Sequence, residues 1–388
     1  MPFEKAQRLK NLPPYLFLEI DRKKKAALAA GRDVINMGVG DPDRPTPRFI
    51  IEAAQAAIAD PGNHQYPLDN GLKAFRQACA DYMSARFGVT VDPDGEVYPL
   101  IGCKEGLAHL PLAMLNPGDL ALCPDPAYPV YKNATMFAGA EAHLMPLKAE
   151  NKFLPDLDAV PAAVADRAKL IWTNYPNSPT GATADEAFYA KLVGWAKKHD
   201  VVIAQDAPYV EMFFDKPARS LLQTPGAKDV SIEFHSLSKT FNMTGWRIGF
   251  AVGNREIIAA LGQFKSNVDS GVFQAIQVAG ITALKGYDHP DVRATMEVYR
   301  RRRDVLINGL RGCGWTMDTP EAGFYVWIKT PTGYGSADTA ARLLEQADIV
   351  LTPGNGFGAA GEGYLRAALT VPEERIAQAV ERIRKMKW

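Results

Sequence analysis

Short apolar runs alternate with amphipathic stretches along most of the chain and predict a sheet covered by helices. Runs that are apolar on both faces suit the strands of a mostly parallel sheet, because both surfaces of such a sheet are buried. These runs cover 120–123, 170–173, 201–205, 231–235 and 248–252. Helical periodicity covers 49–59, 71–87, 105–115, 184–199 and 275–285. The pattern predicts an α/β fold in which helices sandwich a mostly parallel sheet.

The C-terminal part of the chain has a different pattern. A charged helical stretch is followed by two alternating, strand-like stretches and an amphipathic helix, which is typical of a smaller α+β unit. The four stretches are 291–309, 323–329, 364–370 and 372–385. We therefore predict a large domain over 48–287 and a small domain formed by 1–47 together with 288–388.

Composition narrows the range of functions. The chain has 388 residues, with 44 basic and 44 acidic side chains, so no overall charge attracts it to nucleic acid or an anionic membrane, and a small-molecule role is favoured. Its four cysteines are scattered without CxxC spacing, which argues against disulfides and thiolate zinc sites and predicts a cytoplasmic location. The six histidines include no HxxxH pair, so no metal site is predicted. No apolar run suggests a signal peptide or membrane span.

The polar segment 235–247 contains the strongest candidate for chemistry. Lys239 is flanked by hydroxyl side chains, and a partly desolvated lysine loses its proton readily and can condense with an aldehyde. Ser236, Ser238 and Arg247 could bind a phosphate group. Pyridoxal 5′-phosphate (PLP), an aldehyde that carries a phosphate, is the predicted cofactor. Because a lone lysine in a polar loop is usually a solvated surface charge, other segments must support this interpretation.

Two further polar groups follow apolar runs, at the strand ends where ligands bind in open α/β sheets. Asp206 follows the run 201–205, and a carboxylate there could bond the pyridine nitrogen of PLP and keep it protonated. A helix N-cap is an equally good interpretation of this aspartate. The stretch 174–181 follows the run 170–173, and its Asn, Ser, Gly and two prolines are also typical of an ordinary tight turn.

The order of these segments, an Asn-containing turn, then Asp206, then Lys239, resembles that of fold-type I PLP enzymes, specifically class I/II aminotransferases. The resemblance covers nearly the whole chain and implies their seven-stranded-type sheet. It also implies that Asn177 and Tyr209 bond the phenolic oxygen of the cofactor, where they would stabilise the phenolate. Lys239 would then both anchor the cofactor and move a proton during catalysis.

The resemblance implies three more cofactor contacts. Residues 101–106 open a helix, whose N-terminal amides favour anions, and Cys103 and Lys104 match the phosphate-binding position of the family. Tyr128 matches an aromatic residue that stacks on the cofactor ring, although core packing is the common role of such a residue. Tyr66 matches a tyrosine that reaches the phosphate in the neighbouring subunit, which implies a homodimer with shared active sites.

Substrate contacts are predicted at both ends of the chain. Arg366 lies in an apolar, strand-like stretch, where it needs an anionic partner. A substrate α-carboxylate bound through two hydrogen bonds would serve, and an internal salt bridge is the alternative. By resemblance, the backbone of Gly40 faces the substrate. Tyr15 could cover the substrate or simply anchor the N-terminal arm. The remaining substrate-binding candidates are Lys104, Tyr128 and Asn177.

The resemblance implies a transaminase that acts on amino acids and 2-oxo acids. The amino-acid sequences of residues 236–247 and 265–274 are similar to those of enzymes of the LL-diaminopimelate aminotransferase type. This implies transfer of an amino group from LL-2,6-diaminopimelate to 2-oxoglutarate in lysine biosynthesis. Alanine, aspartate or aromatic aminotransferases and PLP-dependent carbon–sulfur lyases share most of these residues and remain alternatives. A PLP-binding transcriptional regulator would need a DNA-binding module, and the chain has no basic extension.

Overall fold

The computed structural model describes residues 3–12, 16–67 and 70–388. Its strands belong to three sheets. The strands are β1 (Ile35–Asn36), β2 (Val97–Leu100), β3 (Leu120–Asp125), β4 (Glu141–Pro146), β5 (Ala168–Asn174), β6 (Val202–Asp206), β7 (Ser231–Ser236), β8 (Gly249–Gly253), β9 (Tyr325–Lys329), β10 (Ile349–Val350), β11 (Thr352–Pro353) and β12 (Tyr364–Ala368).

The helices surround these sheets and differ widely in length. They are α1 (Gln7–Lys10), α2 (Leu16–Ala29), α3 (Arg48–Ala59), α4 (Lys73–Phe87), α5 (Cys103–Met114), α6 (Val130–Phe137), α7 (Ala162–Ala165), α8 (Glu186–Lys198), α9 (Leu237–Thr240), α10 (Arg255–Lys265), α11 (Gln274–Lys285), α12 (Pro290–Arg311), α13 (Ser336–Ala347) and α14 (Glu373–Arg384). In the part of the chain that the structure describes, no helix is both long enough and apolar enough to cross a bilayer.

The largest sheet has seven strands in the order β2-β8-β7-β6-β5-β3-β4. The pairs from β7 through β6, β5 and β3 to β4 are parallel, whereas β8 runs antiparallel to both β7 and β2. The prediction of a mostly parallel, seven-stranded α/β fold is confirmed.

Helices cover both faces of this sheet, as the doubly apolar strands predict. On β6, the neighbouring residues Ile203 and Ala204 are both buried but belong to different hydrophobic clusters. The cluster around Ala204 includes Leu107 of α5 and Leu261 of α10, and the cluster around Ile203 includes Leu192 of α8. The central strands are therefore buried on both faces, and Asp206 at the end of β6 lies in a water-poor environment.

The C-terminal part builds two small sheets. Strands β11, β12 and β9 form an antiparallel sheet, and β1, from the N-terminal part, pairs in parallel with β10. A hydrophobic cluster joins Ile35 of β1 to Tyr299 of α12, Leu343 of α13 and Ile376 of α14. These contacts bring the N-terminal residues to the C-terminal unit, while the predicted domain boundaries remain a prediction.

Most predicted elements agree with the structure to within two residues at each end. Some elements of the structure have no apolar run and are not predicted. Strand β4 lies at the edge of the large sheet, and most of its side chains are exposed or half-buried, so it shows no doubly apolar run. Helix α5 begins at Cys103, two residues before the predicted start. The earlier start matters because it makes Gly102 the N-cap of that helix.

Candidate active site

The carboxyl ends of three adjacent parallel strands bring the predicted residues together. The register of β5 and β6 places Asn174 beside Asp206, and β6 pairs with β7, which leads directly into the short helix that carries Lys239. The side-chain amide of Asn174 donates to the backbone oxygen of Asp206 over 2.7 Å. Because both strands are buried on either side, this edge of the sheet is a fixed platform rather than a loose loop.

Asp206 is a buried carboxylate at the carboxyl end of β6. Its side chain is 4% exposed, and Oδ2 accepts a 2.7 Å hydrogen bond from the hydroxyl of Tyr131. The other oxygen, Oδ1, has no hydrogen-bond partner among the described residues. Burial raises the pKa of Asp206 to about 7, and the hydrogen bond from Tyr131 opposes this shift. An N–H donor or a cation brought to Oδ1 would satisfy the buried group. No helix cap explains Asp206, since residues 207–211 are not helical.

Lys239 lies in α9, a four-residue helix that Ser236 begins by accepting a hydrogen bond from the backbone N–H of Ser238. The ammonium group donates to the backbone oxygen of Gly40 over 3.0 Å and lies 5.5 Å from the centroid of the Phe324 ring. Burial lowers the pKa of Lys239, while the charges of nearby acidic groups oppose this effect. A lysine in such surroundings gives up its proton more easily than a surface lysine, as a nucleophilic amine requires.

Gly40 must be glycine for the chain to approach Tyr325. A Cβ atom at this position would lie 1.8 Å from the hydroxyl oxygen of Tyr325, a side chain that is 5% exposed. The predicted role for the Gly40 backbone stays a prediction. The structure adds that its carbonyl group contacts the Lys239 ammonium.

The turn that precedes α5 lies next to Arg247, so several of the predicted phosphate-binding residues are close together. Gly102 has a φ of 75°, and a Cβ atom there would lie 2.3 Å from the Arg247 guanidinium. That guanidinium donates to the backbone oxygen of Thr244 over 2.8 Å, and its side chain is exposed and available to an anion. Burial raises the pKa of the Cys103 thiol well above its usual value, so this side chain stays neutral. The N-terminus of α5 and Arg247 together suit an anion.

Asn177 and Tyr209 are both buried near this platform. The Asn177 amide donates to the backbone oxygen of Asn174 over 3.1 Å, and its Oδ1 accepts a 2.7 Å hydrogen bond from the Thr180 hydroxyl. Tyr209 is 7% exposed and hydrogen-bonds with Tyr325, and burial raises the pKa of Tyr209 well above its usual value. Tyr209 therefore stays a protonated phenol, able to donate a hydrogen bond.

Arg366 carries a buried guanidinium group. It lies in β12, is 5% exposed, and donates from Nη2 to the backbone oxygen of Gly38 over 2.9 Å. Its guanidinium lies 4.1 Å from the centroid of the Tyr325 ring and 4.6 Å from that of Phe357. Among the described residues it forms no ion pair, so the alternative of an internal salt bridge finds no support there. Its Nε atom also lacks a partner.

The remaining predicted residues have fewer close contacts with the rest of the site. The Lys104 ammonium lies 6.0 Å from the centroid of the half-buried Tyr128 ring. Tyr66 is 88% exposed, so within one chain its ring has little contact with the other predicted residues. Tyr15 lies outside the described residues.

The sequence patterns did not single out three residues that shape the site. Tyr131 fixes the Asp206 carboxylate, Asn174 ties two strand ends together, and Tyr325 packs against Gly40, Tyr209 and Arg366. Two of these had a signal. Tyr131 lies three residues after Tyr128, in the segment that resembles the ring-stacking segment of the family, and Asn174 directly follows an apolar run.

The sequence pattern of the family described as aminotransferase class I and II matches residues 32–383. The chain belongs to this family. Enzymes of this aminotransferase family depend on PLP, and the presence of a lysine, a carboxylate and a buried guanidinium around one strand platform agrees with that membership.

Several relatives resemble this aminotransferase over the full chain. It is 57% identical to the LL-diaminopimelate aminotransferase of Syntrophobacter fumaroxidans, with 100% of both chains covered. It is 55% identical to the enzyme of the same name from Aquifex aeolicus, with 99% of this chain and 100% of that one covered.

Solved structures show the same fold at lower sequence identity. Substrate-bound BacF from Bacillus subtilis superimposes with a TM-score of 0.94 at 39% identity, covering 99% of this chain and 98% of the other. A variant of Thermus thermophilus aspartate aminotransferase gives a TM-score of 0.92 at 30% identity, covering 98% and 99% of the two chains. Because proteins with different names share the fold, the fold alone does not select a substrate.

Proposed function

We propose that this aminotransferase binds PLP through Lys239 and transfers an amino group from LL-2,6-diaminopimelate to 2-oxoglutarate, a step of lysine biosynthesis. The observation that carries the proposal is a set of three buried groups: Lys239, Asp206, whose Oδ1 has no hydrogen-bond partner among the described residues, and Arg366, which forms no ion pair with them. PLP and an amino-acid substrate would supply an aldehyde for the Lys239 amine, an N–H donor for Asp206 and a carboxylate for Arg366.

The described residues fit the cofactor. Asp206 would receive the pyridine N–H at its free oxygen, Asn177 and Tyr209 would bond the phenolic oxygen, and Tyr128 would stack on the ring. Cys103, Lys104, Ser236, Ser238 and Arg247 would surround the phosphate. When bound, PLP supplies an aldehyde that takes up the amino group and a ring that accepts electron density from the substrate α-carbon.

Lys239 would serve first as the anchor and then as the acid and base. Because burial lowers its pKa, the Lys239 Nζ is a stronger candidate for a neutral amine than an exposed lysine. As a free amine, Lys239 Nζ would take up the proton from the substrate α-carbon and later give it back, so that one residue would act first as a base and then as an acid. The Gly40 carbonyl, which accepts from Nζ, limits where the amine can move.

Arg366 would hold the substrate for this proton transfer. Its planar guanidinium suits two parallel hydrogen bonds to an α-carboxylate, and its burial strengthens them. The rings of Tyr325 and Phe357 restrict its orientation. Gly40, Lys104, Tyr128, Asn177 and Tyr15 are further candidates for substrate contacts.

The proposed substrate rests on the relatives. The relatives from Syntrophobacter fumaroxidans, Aquifex aeolicus and Gloeobacter violaceus, at 53–57% identity, carry the name LL-diaminopimelate aminotransferase. The solved structures that carry other names are 29–39% identical. We therefore infer the substrate named for the full-length relatives, which share more than half of their residues with this chain, and not those named for the less similar solved structures.

We further propose a cytoplasmic homodimer whose two active sites each use residues of both subunits. The exposed ring of Tyr66 supports this arrangement, since a large aromatic side chain that is 88% exposed in one chain is well placed to contact another. Four free cysteines agree with a reducing compartment.

Stopped-flow absorbance of the PLP-loaded protein tests the proposed substrate. LL-diaminopimelate should convert the cofactor to its amine form, and 2-oxoglutarate should restore the aldehyde form and yield glutamate. Meso-diaminopimelate, alanine and aspartate, at the same concentration, serve as comparison substrates and should react more slowly. Rapid conversion by alanine or aspartate with no response to LL-diaminopimelate would overturn the proposed substrate but leave amino transfer intact.

A further inference from the structure

Lys265, the last residue of α10, is a fully buried cation. Its side chain is 1% exposed, and its ammonium group lies 2.8 Å from Oε1 of Glu105 and also contacts Oδ1 of Asp269. A lysine is rarely buried to this extent without a specific partner, because removing the charge from water is costly. The two carboxylates offset that cost, so the three residues form one interdependent network.

Glu105 connects this network to the turn that precedes α5. While Oε1 faces Lys265, Oε2 accepts a 3.0 Å hydrogen bond from the backbone N–H of Ile101. The next residue, Gly102, is the N-cap of α5 and has no side chain with which to cap the helix. The orientation of the Glu105 carboxylate therefore helps to fix the backbone path through Ile101 and Gly102, just before the proposed phosphate contacts of Cys103 and Lys104.

Asp269 connects the same network to the loop that follows α10. Its Oδ1, which contacts Lys265, also accepts a 2.9 Å hydrogen bond from the backbone N–H of Gly271. Gly271 has a φ of 83°, and the loop around it includes the exposed side chains of Val268 and Phe273. One lysine thus joins an exposed loop to the turn at the start of α5.

The cluster also contains side chains that bind metals, but its charge balance argues against a metal ion. Ligand atoms of Glu105, His109 and Asp269 lie within 4.8 Å of one another. The Lys265 ammonium already lies against the two carboxylates, and a divalent cation beside it would be strongly repelled. The ammonium therefore takes the place that a metal would need.

We propose that Lys265 is a positioning residue for phosphate recognition: through Glu105 it holds the turn at 101–104 in the shape that binds the cofactor phosphate. The inference rests on the proposed function, because it assigns the PLP phosphate to this turn. Lys265 itself touches neither cofactor nor substrate in this account. Its loss should weaken contacts with the phosphate and leave contacts with the pyridine ring nearly unchanged.

Comparing PLP with pyridoxal, which lacks the phosphate, separates this role from a general effect on folding. The dissociation constants of both are measured on the cofactor-free protein for wild type and for Lys265→Met, which keeps the unbranched chain but removes the charge. We expect the dissociation constant of PLP to rise about tenfold or more, because a displaced turn would weaken the charge-assisted hydrogen bonds to the phosphate. The dissociation constant of pyridoxal should change less than about twofold. Amide hydrogen exchange at 101–104 should be faster in the cofactor-free variant.

Two further variants complete the test. Lys191→Met removes an exposed lysine that pairs with Asp158 over 2.6 Å, and it should alter neither dissociation constant. Glu105→Gln keeps the shape of the side chain but weakens its attraction to Lys265, so it should show a milder selective loss and carries the test if Lys265→Met does not fold.

Equal losses for PLP and pyridoxal, or no loss in a folded Lys265→Met protein, would overturn the positioning role. A wild-type protein that binds PLP no better than pyridoxal would instead contradict the proposed phosphate site itself.

Discussion

Asp206 illustrates how burial controls the charge of a single side chain. One of its carboxylate oxygens accepts a hydrogen bond from Tyr131, the other has no partner in the part of the chain that the structure describes, and the residue is almost fully buried. Burial disfavours the charged form and raises the pKa to about 7. The protein alone thus holds this carboxylate at a cost, which a positively charged ring at the free oxygen would offset.

Replacing Asp206 by Asn should make the stability of the cofactor-free protein less dependent on pH. Because the pKa is raised from 3.8 to about 7 in the folded state, the folded protein binds more protons than the unfolded chain between these values. Wild-type stability contributed by this group therefore falls as the pH rises through that window. Measured by urea unfolding, Asp206→Asn should gain on the order of 2 kcal/mol relative to wild type between pH 5 and pH 8.

The exposed Asp158 provides the control for this pH effect. Its side chain is 78% exposed, so Asp158→Asn should show nearly the same difference from wild type at both pH values. An equally constant difference for Asp206→Asn would mean that burial does not hold the carboxyl group near neutrality.

At this scale the sequence predicts some residues and not others. Asp206 could be predicted because it ends an apolar run at the edge where parallel strands finish. Tyr325 could not be predicted, since it reaches Gly40 and Arg366 only after the C-terminal strands fold against the N-terminal segment. Contacts between residues this distant in sequence depend on the relative placement of two elements, which no local pattern contains.

At the scale of elements, the segment around Gly40 is held rigidly beside Lys239. The Asp43 carboxylate receives two 2.7 Å hydrogen bonds from the guanidinium of Arg302, a buried residue of α12. The Thr370 hydroxyl donates to the backbone oxygen of Val39 over 2.8 Å. These contacts fix the Gly40 carbonyl that meets the lysine ammonium.

Gly40→Ala should therefore disturb the site as well as the fold. The added Cβ atom would lie 1.8 Å from the Tyr325 hydroxyl oxygen, and forcing a methyl group into a packed region costs about 2 kcal/mol. Transaminase activity should fall at least about tenfold, because the loop that contacts Lys239 must move. Denaturant unfolding and steady-state kinetics measure the two effects.

Gly194 offers a matched control within α8. A Cβ atom there would meet nothing within 4 Å, so Gly194→Ala should keep full activity and raise helix stability by ~0.5–1 kcal/mol. Wild-type activity in a folded Gly40→Ala protein would show that the close approach to Tyr325 is not needed for function.

The sequence predicts strands well where both faces of the strand are buried. The runs that became β5, β6 and β7 are apolar on both faces because helices cover both faces. Strand β4 escapes prediction because it lies at the sheet edge. The start of α5 was predicted two residues late, since Gly102 begins that helix without a capping side chain.

For the whole molecule, two long-range arrangements make the proposed site. Within one chain, β1 pairs with β10, which brings the N-terminal segment and Gly40 towards Lys239. Between chains, the proposed dimer would bring the exposed Tyr66 to the partner's phosphate site. The pattern along the chain groups residues 1–47 with 288–388, and the resemblance to a family implies the role of Gly40 and the shared dimer site. Neither predicts the pairing of β1 with β10.

Co-expression of two inactive variants tests whether active sites are shared. Tyr66→Ala and Lys239→Ala should each be strongly impaired alone. In a mixed dimer, one site would combine an intact Lys239 with an intact Tyr66 from the other subunit. Random pairing should therefore restore about a quarter of wild-type activity. The control pairs Lys239→Ala with Asp206→Ala, which leaves both sites of a mixed dimer defective; equal recovery in both mixtures would contradict sharing through Tyr66.

Borohydride reduction followed by tryptic peptide mapping would detect the proposed covalent link between Lys239 and the PLP aldehyde. Reduction converts the link to a stable secondary amine, which blocks trypsin at Lys239. Protein saturated with PLP should yield one modified fragment spanning 229–247. Unmodified fragments 229–239 and 240–247 from fully loaded, reduced protein would contradict this link.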